Sequence, residues 1–432
     1  MTVTALKKTK RGAPLTQQTP LSDFVPYSHH VDQYTITTKD GYLLQVIQLD
    51  GFPFETTDQS ELNQRKYVLN TLWRGLGSSR FALYHHILRH LTLNYPVGQF
   101  TGFSRELDQA SRERLGRRQL FINDQYLTVI RRPLRGGVGF LETASKILSG
   151  KSDRESYTED RRVELKALTD AVDNIVATLK PYGARRLSTY KKADGTYSRV
   201  LEFLSTLINQ SAQPVFLPRA PLDQYLPNQR YFFGEETLEV RGISGSTLGA
   251  MVSIKEYGPE TAPGLLDALL RLPHEFVLTQ SFAFIDQQAA LNRLEQVQRL
   301  MDSAEDRAVS LKEQLSNATD ATASGRIAFG EHHLTLLIKE TNPTRLDHAV
   351  TDVSSELTKR GLVAVREDLN LEAAFWAQLP GNFPFIARRA PISSANFSGF
   401  ASFHDYPIGQ FENNHWGPCV AVLETTSGTP YA

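Results

Sequence analysis

Two stretches of the chain repeat one order of β-rich and helical segments, and this order constrains the fold more than any other feature. Over residues 42–208 the order is β-α-β, an irregular insertion, then β-α-β-α, and residues 248–378 repeat it with a helical insertion. Strands and helices in this order are typical of split β-α-β units. The sequence therefore predicts an α+β fold of two ferredoxin-like antiparallel-sheet units, each with helices on one face.

The insertion of the second unit, at about 286–325, shows the longest apolar repeat of the chain. Apolar residues recur three and four positions apart without a break from 294 to 315, at Leu294, Val297, Met301, Ala304, Ala308, Leu311 and Leu315. This spacing predicts one continuous helix over about 286–316, roughly 45 Å long at about 1.5 Å per residue, which should project from the unit. Because a heptad seam calls for a partner helix, Leu294, Val297, Met301, Leu311 and Leu315 form a candidate interface.

Composition shifts divide the chain into four parts. Residues 1–30 form a basic tail and entry segment, and residues 31–235 and 236–380 hold the two α+β units. Residues 381–432 are interpreted as a linker and a strand. The tail has no apolar core behind its charges, so it does not have the pattern of a signal peptide.

Charge and motif searches exclude several function classes. Lys plus Arg equals Asp plus Glu, at 47 each, which argues against a general polyanion binder. The phosphate loop G-x-x-x-x-G-K-[ST], G-x-G-x-x-G, G-x-S-x-G, H-E-x-x-H and C-x-x-C do not occur. Adjacent histidines such as His85-His86 and His332-His333 would point to opposite strand faces and are interpreted as polar positions at strand ends. No catalytic, cofactor-binding or metal-binding residue is assigned.

One local basic segment keeps a second hypothesis open. Residues 105–135 hold eight arginines against four acids and show no clear period before residue 123. A basic loop that faces solvent or a partner is the first interpretation. The alternative is a stand-alone nucleic-acid-binding module that uses this loop, and a third hypothesis is a hydrolase with a scattered triad.

Several long motifs make the chain similar to a known family. They are FVPYSHHV (24–31), TKDG (38–41), FGEHHL (329–334), FWAQLPGNF (375–383), ARRAPISSANF (387–397), FHDYP (403–407), NHWGP (414–418) and TSGTPY (426–431). In order and spacing they resemble the type IV secretion and conjugal-transfer ATPases of the CagE/TrbE/VirB family. The resemblance covers nearly the whole chain.

The resemblance implies that the chain is the N-terminal docking and oligomerisation portion of such an ATPase. A RecA-like domain that binds ATP and Mg²⁺ would follow Tyr431, and no residue of this chain matches its nucleotide-binding motif. The implied assembly is a homo-oligomer, with a hexamer expected. The implied location is cytoplasmic, peripheral on the bacterial inner membrane, against small membrane subunits and other ATPases of the channel. Full-length members would energise pilus biogenesis and the transfer of pilin, DNA or protein substrates.

Four aromatic residues of the closing motifs are candidates for the junction with that further domain. They are Trp376, Phe383, Trp416 and Tyr431. Packing within the local core is the alternative interpretation for the tryptophans and for Phe383.

Overall fold

A computed structural model describes residues 19–92, 95–96, 98–133, 153–243, 245–303, 309–415 and 417–432. Its helices are α1 (Gln59–Gly75), α2 (Phe103–Gly116), α3 (Asp153–Thr178), α4 (Arg199–Asn209), α5 (Leu222–Tyr225), α6 (Gln287–Ser303), α7 (Val309–Ala323), α8 (Pro343–Lys359), α9 (Leu371–Ala377) and α10 (Ser394–Phe400). Single 3-10 turns occur at Leu21–Asp23, Lys180–Tyr182, Asp267–Arg271 and Phe383–Phe385.

The strands of the first half are β1 (Tyr27–His30), β2 (Ile36–Thr38), β3 (Leu43–Leu49), β4 (Phe52–Pro53), β5 (Phe81–Thr92), β6 (Leu120–Arg131), β7 (Arg185–Arg186), β8 (Thr189–Lys192) and β9 (Gly195–Ser198). Those of the second half are β10 (Arg230–Phe233), β11 (Leu238–Gly242), β12 (Gly245–Glu256), β13 (Glu275–Ile285), β14 (Phe329–Glu340), β15 (Val363–Arg366), β16 (Ala390–Ser393), β17 (His404–Asp405), β18 (Leu423–Glu424) and β19 (Pro430–Tyr431).

One large antiparallel sheet runs through both halves of the chain, which confirms the predicted α+β class. Its strand order is β1-β2-β3-β6-β5-β13-β14-β12-β11-β10, and β7, β15 and β16 pair with β3, β12 and β14. The first half contains the order β7-β3-β6-β5, and the second half contains the equivalent order β15-β12-β14-β13. The halves join where β5 pairs with β13, with His85 opposite Gln280.

Helices cover both faces of this sheet, so the prediction of helices on one face was wrong. On one face Ile47 and Leu278 share a core with residues of α1, α3, α8 and α10. On the other face their neighbours Val46 and Val277 share a core with α4, α5 and α9. The physical reason is that strands such as β3 carry buried apolar residues on both faces, Ile47 on one and Val46 on the other, so both faces must be shielded from water.

The predicted single helix over 286–316 is instead two helices, α6 and α7, that pack against each other. The Nε2 atom of Gln287, at the start of α6, donates a 2.7 Å hydrogen bond to the carbonyl oxygen of Thr322, near the end of α7. The two helices therefore run antiparallel, and the apolar seam finds a partner helix within its own chain. Ala304 and Ala308 of the predicted seam lie outside the described residues.

The basic segment 105–135 was predicted to be a loop with no clear period before residue 123, and for that first part the prediction was wrong. Within its described part, up to residue 133, the segment forms most of α2 and all of β6. The apolar residues of α2 are few, so the helical period was weak in the sequence. Long-range pairing with β3 and β5 holds β6 in place.

Candidate functional site

The segment that follows α10 is held on the sheet by buried polar side chains. His404 and Asp405 form β17, which pairs with β4 in parallel. The Nε2 atom of Gln125 donates a 2.7 Å hydrogen bond to the carbonyl oxygen of His404. The Nδ2 atom of Asn123 donates a 2.8 Å hydrogen bond to Oδ1 of Asp405. We call these four residues the C-terminal anchor, because they fix the route by which the chain leaves the sheet.

Asp405 of the C-terminal anchor is a buried acid with an altered titration. Burial raises the pKa of its carboxyl group to about 7, against the opposing effect of hydrogen bonds from Asn123, the Tyr406 amide and Gln125. The Arg89 guanidinium donates from Nη1 to Oδ1 of Asn123 over 2.9 Å and from Nε to the carbonyl oxygen of Leu272 over 2.7 Å. Asp405 is therefore held close to the Arg89 guanidinium, because both side chains are hydrogen-bonded to the side-chain amide of Asn123.

A line of hydrogen-bonded polar side chains crosses the four central strands beside the C-terminal anchor. Gln125 Oε1 lies 3.2 Å from Nε2 of His85, and Gln280 Nε2 lies 2.9 Å from Nδ1 of the same ring. The Oε1 atom of Gln280 lies 3.1 Å from Nε2 of His332, and Tyr257 Oη lies 2.8 Å from its Nδ1. We call these five residues the polar row. The polar row connects the C-terminal anchor to the pairing of β5 with β13, which joins the two halves of the chain.

His85-His86 and His332-His333 lie inside the sheet, so their interpretation as strand-end residues was wrong, whereas His29-His30 ends β1 as that interpretation expected. Burial lowers the pKa of His85 to about 4 and the pKa values of His86, His332 and His333 to about 3. Each pair points to opposite faces, as the alternation of a strand requires. Among the described residues, no group of three or more His, Cys, Asp or Glu side chains could hold a metal ion.

One aspartate and one histidine are arranged as in a catalytic pair. Nδ1 of His404 lies 2.7 Å from Oδ2 of Asp267, and burial raises the pKa of that aspartate. In the part of the chain that the structure describes, no Ser, Thr or Cys hydroxyl or thiol is hydrogen-bonded to the His404 ring. The ring instead stacks on Phe54, with centroids 4.9 Å apart. This geometry holds the segment that follows α10 and offers no support to the scattered-triad hypothesis.

The hairpin of α6 and α7 connects the adjacent central strands β13 and β14. Lys312 Nζ lies 3.0 Å from Oδ1 of Asp302, which ties the two helices together away from the sheet. Arg293 Nη1 lies 3.3 Å from Oε1 of Glu331, which ties α6 to β14. At the base, the side chain of Ala290 is buried.

The structure divides the candidate interface residues between the two helices of this hairpin. Leu294, Met301 and Leu315 are half-buried. Val297 remains 46% exposed. Leu311 belongs to α7, and its side chain lies outside the described residues. Among the members of this set whose side chains the structure describes, Val297 is the most accessible to a partner.

Trp376, a candidate junction residue, lies fully buried among aromatic side chains of the described chain. Its ring stacks on Phe24, with centroids 4.8 Å apart and planes 11° apart, and meets the Tyr231 ring edge-on at 5.5 Å. The Nδ2 atom of Asn382 donates hydrogen bonds to the carbonyl oxygens of Phe24 at 2.8 Å and of Trp376 at 2.9 Å. This geometry matches the alternative of local core packing.

The other junction candidates are distributed along the closing segment. Phe383 packs edge-on against Tyr42, with ring centroids 5.8 Å apart. Tyr431 lies in β19, is 45% exposed and pairs with Leu423 of β18. Trp416 lies outside the described residues. Trp376 and Phe383 therefore contribute to one hydrophobic core, whereas Tyr431 is paired in β19.

The nucleic-acid alternative receives no support from the described part of residues 105–135. Arg131 Nε donates to Glu164 Oε2 over 2.7 Å, and Arg132 Nη2 donates to the carbonyl oxygen of Phe284 over 3.2 Å. Guanidinium groups engaged in this way inside the fold cannot also neutralise phosphates. The remaining described arginines of this segment belong to α2 and its C-terminal end.

Sequence reasoning missed Asn123, Gln125, Gln280 and Asp405. A signal was present, because Gln280 stands between Leu278 and Phe282 on an otherwise apolar face of β13. A polar residue at such a position needs a buried hydrogen-bond partner. The identity of that partner depends on how distant strands align, which the local sequence does not reveal.

Comparison with known proteins gives consistent matches along the chain. Residues 185–388 match the family described as "CagE, TrbE, VirB family, component of type IV transporter system". Residues 34–138 match "Type IV secretion system ATPase VirB4/TrbE, N-terminal domain". The described part of the chain contains no helix long and apolar enough to cross a membrane.

Three curated relatives illustrate the similarity. The chain is 35% identical over 410 residues to the type IV secretion system protein virB4 of Bartonella henselae, covering 95% of this chain and 52% of the relative. It is 31% identical over 422 residues to the type IV secretion system protein PtlC of Bordetella pertussis, with 95% and 50% covered. It is 32% identical over 423 residues to the protein virB4 of Agrobacterium fabrum, with 97% and 53% covered. The chain spans about half the length of these relatives.

Proposed function

The chain belongs to the CagE, TrbE, VirB family of type IV transporter components, and from this premise we propose that residues 1–432 are the docking and oligomerisation domain of a type IV secretion system ATPase. We place the binding of ATP and Mg²⁺ outside these residues, because the sequence contains no phosphate loop that could clamp the triphosphate. In a protein of the relatives' length, this domain would hold and position the motor.

The observation that carries the proposal is the position of the α6–α7 hairpin. It connects two central strands of the sheet, and its base is fixed by the hydrogen bond between Gln287 and Thr322. Val297 stands exposed on α6, with Leu294 and Met301 half-buried on the same helix. A rigidly mounted hairpin with an apolar face is suited to helix–helix contact with another subunit.

The same proposal extends to architecture, partners and location. The equivalent strand orders of the two halves support two ferredoxin-like units. We place these units at 31–235 and 236–380, with a tail at 1–30 and a linker to the motor at 381–432. The partners are further copies of the chain, with a hexamer in the full-length protein, and small inner-membrane subunits and other ATPases of the channel. The location is cytoplasmic and peripheral on the inner membrane. The transported cargo would be pilin, DNA or other protein. The processes driven by ATP would be pilus biogenesis and conjugal transfer.

The hairpin contact is tested by Val297→Asp. A charge at this exposed position should leave the fold intact and weaken self-association or co-purification with the membrane subunits of the channel. Sedimentation velocity measures self-association. Affinity capture measures co-purification with the membrane subunits of the channel. Val163→Asp on α3 is the matched control, because Val163 is also an exposed helical valine, 56% accessible. Unchanged association of the Val297→Asp variant would rule out this face of the hairpin as the interface.

The placement of the motor is tested by ATP hydrolysis. Residues 1–432 should release no phosphate above background, and a natural protein of the relatives' full length should hydrolyse ATP in a Mg²⁺-dependent manner. The two are compared at equal molar concentration. Appreciable hydrolysis by residues 1–432 alone would overturn the proposal.

A further inference from the structure

The polar row is built from side chains that can hydrogen-bond in either direction. A side-chain amide has one donor end and one acceptor end, and a neutral imidazole has one nitrogen of each kind. A backbone carbonyl oxygen, by contrast, can only accept. Two carbonyl oxygens contact the polar row, and together they determine the direction of every hydrogen bond in it.

The first of these oxygens determines the orientation of Gln125. Its Nε2 atom lies 2.7 Å from the carbonyl oxygen of His404 and must be the donor of that bond. The Oε1 atom of the same amide therefore accepts from Nε2 of His85, 3.2 Å away, so this nitrogen carries the ring proton. Burial lowers the pKa of His85 to about 4, so its ring is neutral at pH 7 and its Nδ1 atom is an acceptor.

The second carbonyl oxygen determines the orientation of Gln280 independently. The Nε2 atom of Gln280 lies 3.1 Å from the carbonyl oxygen of Phe400, so this end of the amide is the donor. The same nitrogen lies 2.9 Å from Nδ1 of His85, which is the atom that must accept. The assignments made from the two carbonyl oxygens therefore agree at His85.

The remaining bonds of the polar row follow from Gln280. Its Oε1 atom accepts, so Nε2 of His332, 3.1 Å away, carries the ring proton. Burial lowers the pKa of His332 to about 3, so this ring is also neutral and its Nδ1 atom accepts. The Oη atom of Tyr257, 2.8 Å from that nitrogen, must donate to it. All five hydrogen bonds thus point the same way, from Tyr257 to the carbonyl oxygen of His404.

This chain of hydrogen bonds connects residues that are far apart in the sequence. It begins at Tyr257, directly after β12, and ends at His404 in β17. Between them it uses one side chain from each of β14, β13, β5 and β6. Reversing one bond would place two donors or two acceptors face to face at the next, and hydrogen bonds in such a chain strengthen one another. A change at one end should therefore be felt at the other.

We propose that the polar row is a one-way hydrogen-bond chain, with His85 and His332 neutral and protonated at Nε2, that couples the residue after β12 to the segment that follows α10. Tyr257 is then a positioning residue for a segment that it holds through four other side chains. This proposal goes beyond the docking function and does not depend on it.

The direction of the chain is tested by NMR of the protein labelled with nitrogen-15 histidine, because the two ring nitrogens are distinct. At pH 7 the wild type should show His85 and His332 protonated at Nε2, with signals assigned by substituting one histidine at a time. Gln280→Glu keeps the side-chain size but presents an acceptor to His85, which should then gain a proton at Nδ1. His86 is the internal control, because its Nε2 atom contacts the carbonyl oxygen of Gln378 at 2.8 Å. A proton at Nδ1 of either ring in the wild type would overturn the proposal.

The coupling is tested by limited proteolysis after residue 400. Tyr257→Phe keeps the aromatic ring and removes the hydroxyl donor at the start of the chain. It should speed this cleavage about fivefold and leave cleavage before residue 400 unchanged. In a Gln125→Met background, where the last bond of the chain is already lost, it should have no further effect. Tyr190→Phe is the matched control, because that hydroxyl donates to Glu202 at 2.6 Å, outside the polar row.

The outcomes of the proteolysis experiment decide the coupling. Circular dichroism and thermal unfolding check that each variant is folded, and Gln125→Leu replaces Gln125→Met if the latter is not. An unchanged cleavage rate in Tyr257→Phe would overturn the coupling, as would the same acceleration in both backgrounds. Self-association is measured separately on the same variants and should not change, so the docking function and this proposal can fail independently.

Discussion

The Nδ2 atom of Asn123 lies 2.8 Å from Oδ1 of Asp405, a residue 282 positions further along the chain. This hydrogen bond joins the start of β6 to the segment that follows α10. In the proposed function, that segment leads to the motor. The bond is therefore a point at which the stability of the sheet and the position of the closing segment are coupled.

We predict that Asp405→Asn stabilises the chain at pH 8 and has little effect at pH 4. The native protein holds the Asp405 proton more tightly than the unfolded chain, because its pKa is about 7 against about 3.9 in an unfolded chain. The contribution of this carboxyl group to stability is therefore greatest at low pH and is lost as the pH rises toward 7. Asparagine keeps an acceptor for Asn123 without a buried charge. Urea unfolding at both pH values measures the difference.

Asp320→Asn, on the exposed end of α7, is the control for replacing an aspartate. A variant at Asp405 that is less stable than the wild type at pH 8 would contradict the predicted cost of the buried carboxylate.

The buried histidines predict a second pH dependence, of opposite sign. His85, His86, His332 and His333 have lowered pKa values and stay neutral in the native protein, whereas the unfolded chain binds protons below about pH 6.5. Stability should therefore fall as the pH falls from 6.5 toward 4, by about 1.4 kcal/mol per pH unit for each histidine. Four such groups outweigh Asp405 in this range.

In the His86→Gln variant, unfolding should take up about one proton fewer, so the slope of stability against pH should fall by about 1.4 kcal/mol per pH unit. The free energy of unfolding at several pH values measures this slope. His348→Gln, on the exposed side of α8, is the control for the substitution. An unchanged slope in the His86 variant would show that this ring is charged or exposed in the native protein.

Gln280→Leu should destabilise the chain by about 2–5 kcal/mol, because it leaves polar groups unpaired inside the sheet. The glutamine side chain contacts His85, His332 and the carbonyl oxygen of Phe400. Leucine at this position can bond to none of them. Chemical unfolding at pH 7 measures the loss.

Gln288→Leu on α6 is the matched change at an exposed site, where the side-chain amide donates a hydrogen bond to Oδ1 of Asn292. It should cost less than about 0.5 kcal/mol. Equal effects of the two variants would mean that the polar row contributes nothing specific.

Gly51→Ala should release the segment that follows α10, and Gly41→Ala should not. Both glycines have a positive φ, +85° at Gly51 and +80° at Gly41, so both substitutions carry a backbone cost of about 1–2 kcal/mol. At Gly51 a new Cβ would also overlap the side chain of Asp405, whereas at Gly41 it would meet open space. Limited proteolysis after residue 400 should therefore be faster only in the Gly51 variant. Equal cleavage of the two variants would show that the close approach of Gly51 to Asp405 does not hold the segment.

Short-range patterns were enough to predict much of this protein. Alternation in the strands predicted an α+β fold and placed His85 and His86 on opposite faces. Closing motifs such as FWAQLPGNF predicted the family. The three-four repeat from Leu294 to Leu315 indicated helical structure, although as one helix where the chain forms two. Each of these signals is read from residues that are close together in the chain.

The remaining features depend on contacts between residues that are far apart in the chain. Helices α6 and α7 pack against each other within one chain. The sequence did not reveal this, because the apolar periodicity is the same whether a helix packs on a neighbour in its own chain or on another chain. The joining of the halves through β5 and β13, and the pairing of Asn123 with Asp405, follow from strand register across hundreds of residues. Local periodicity carries no information about which distant edge a strand will meet, so the folded chain alone settles those pairings.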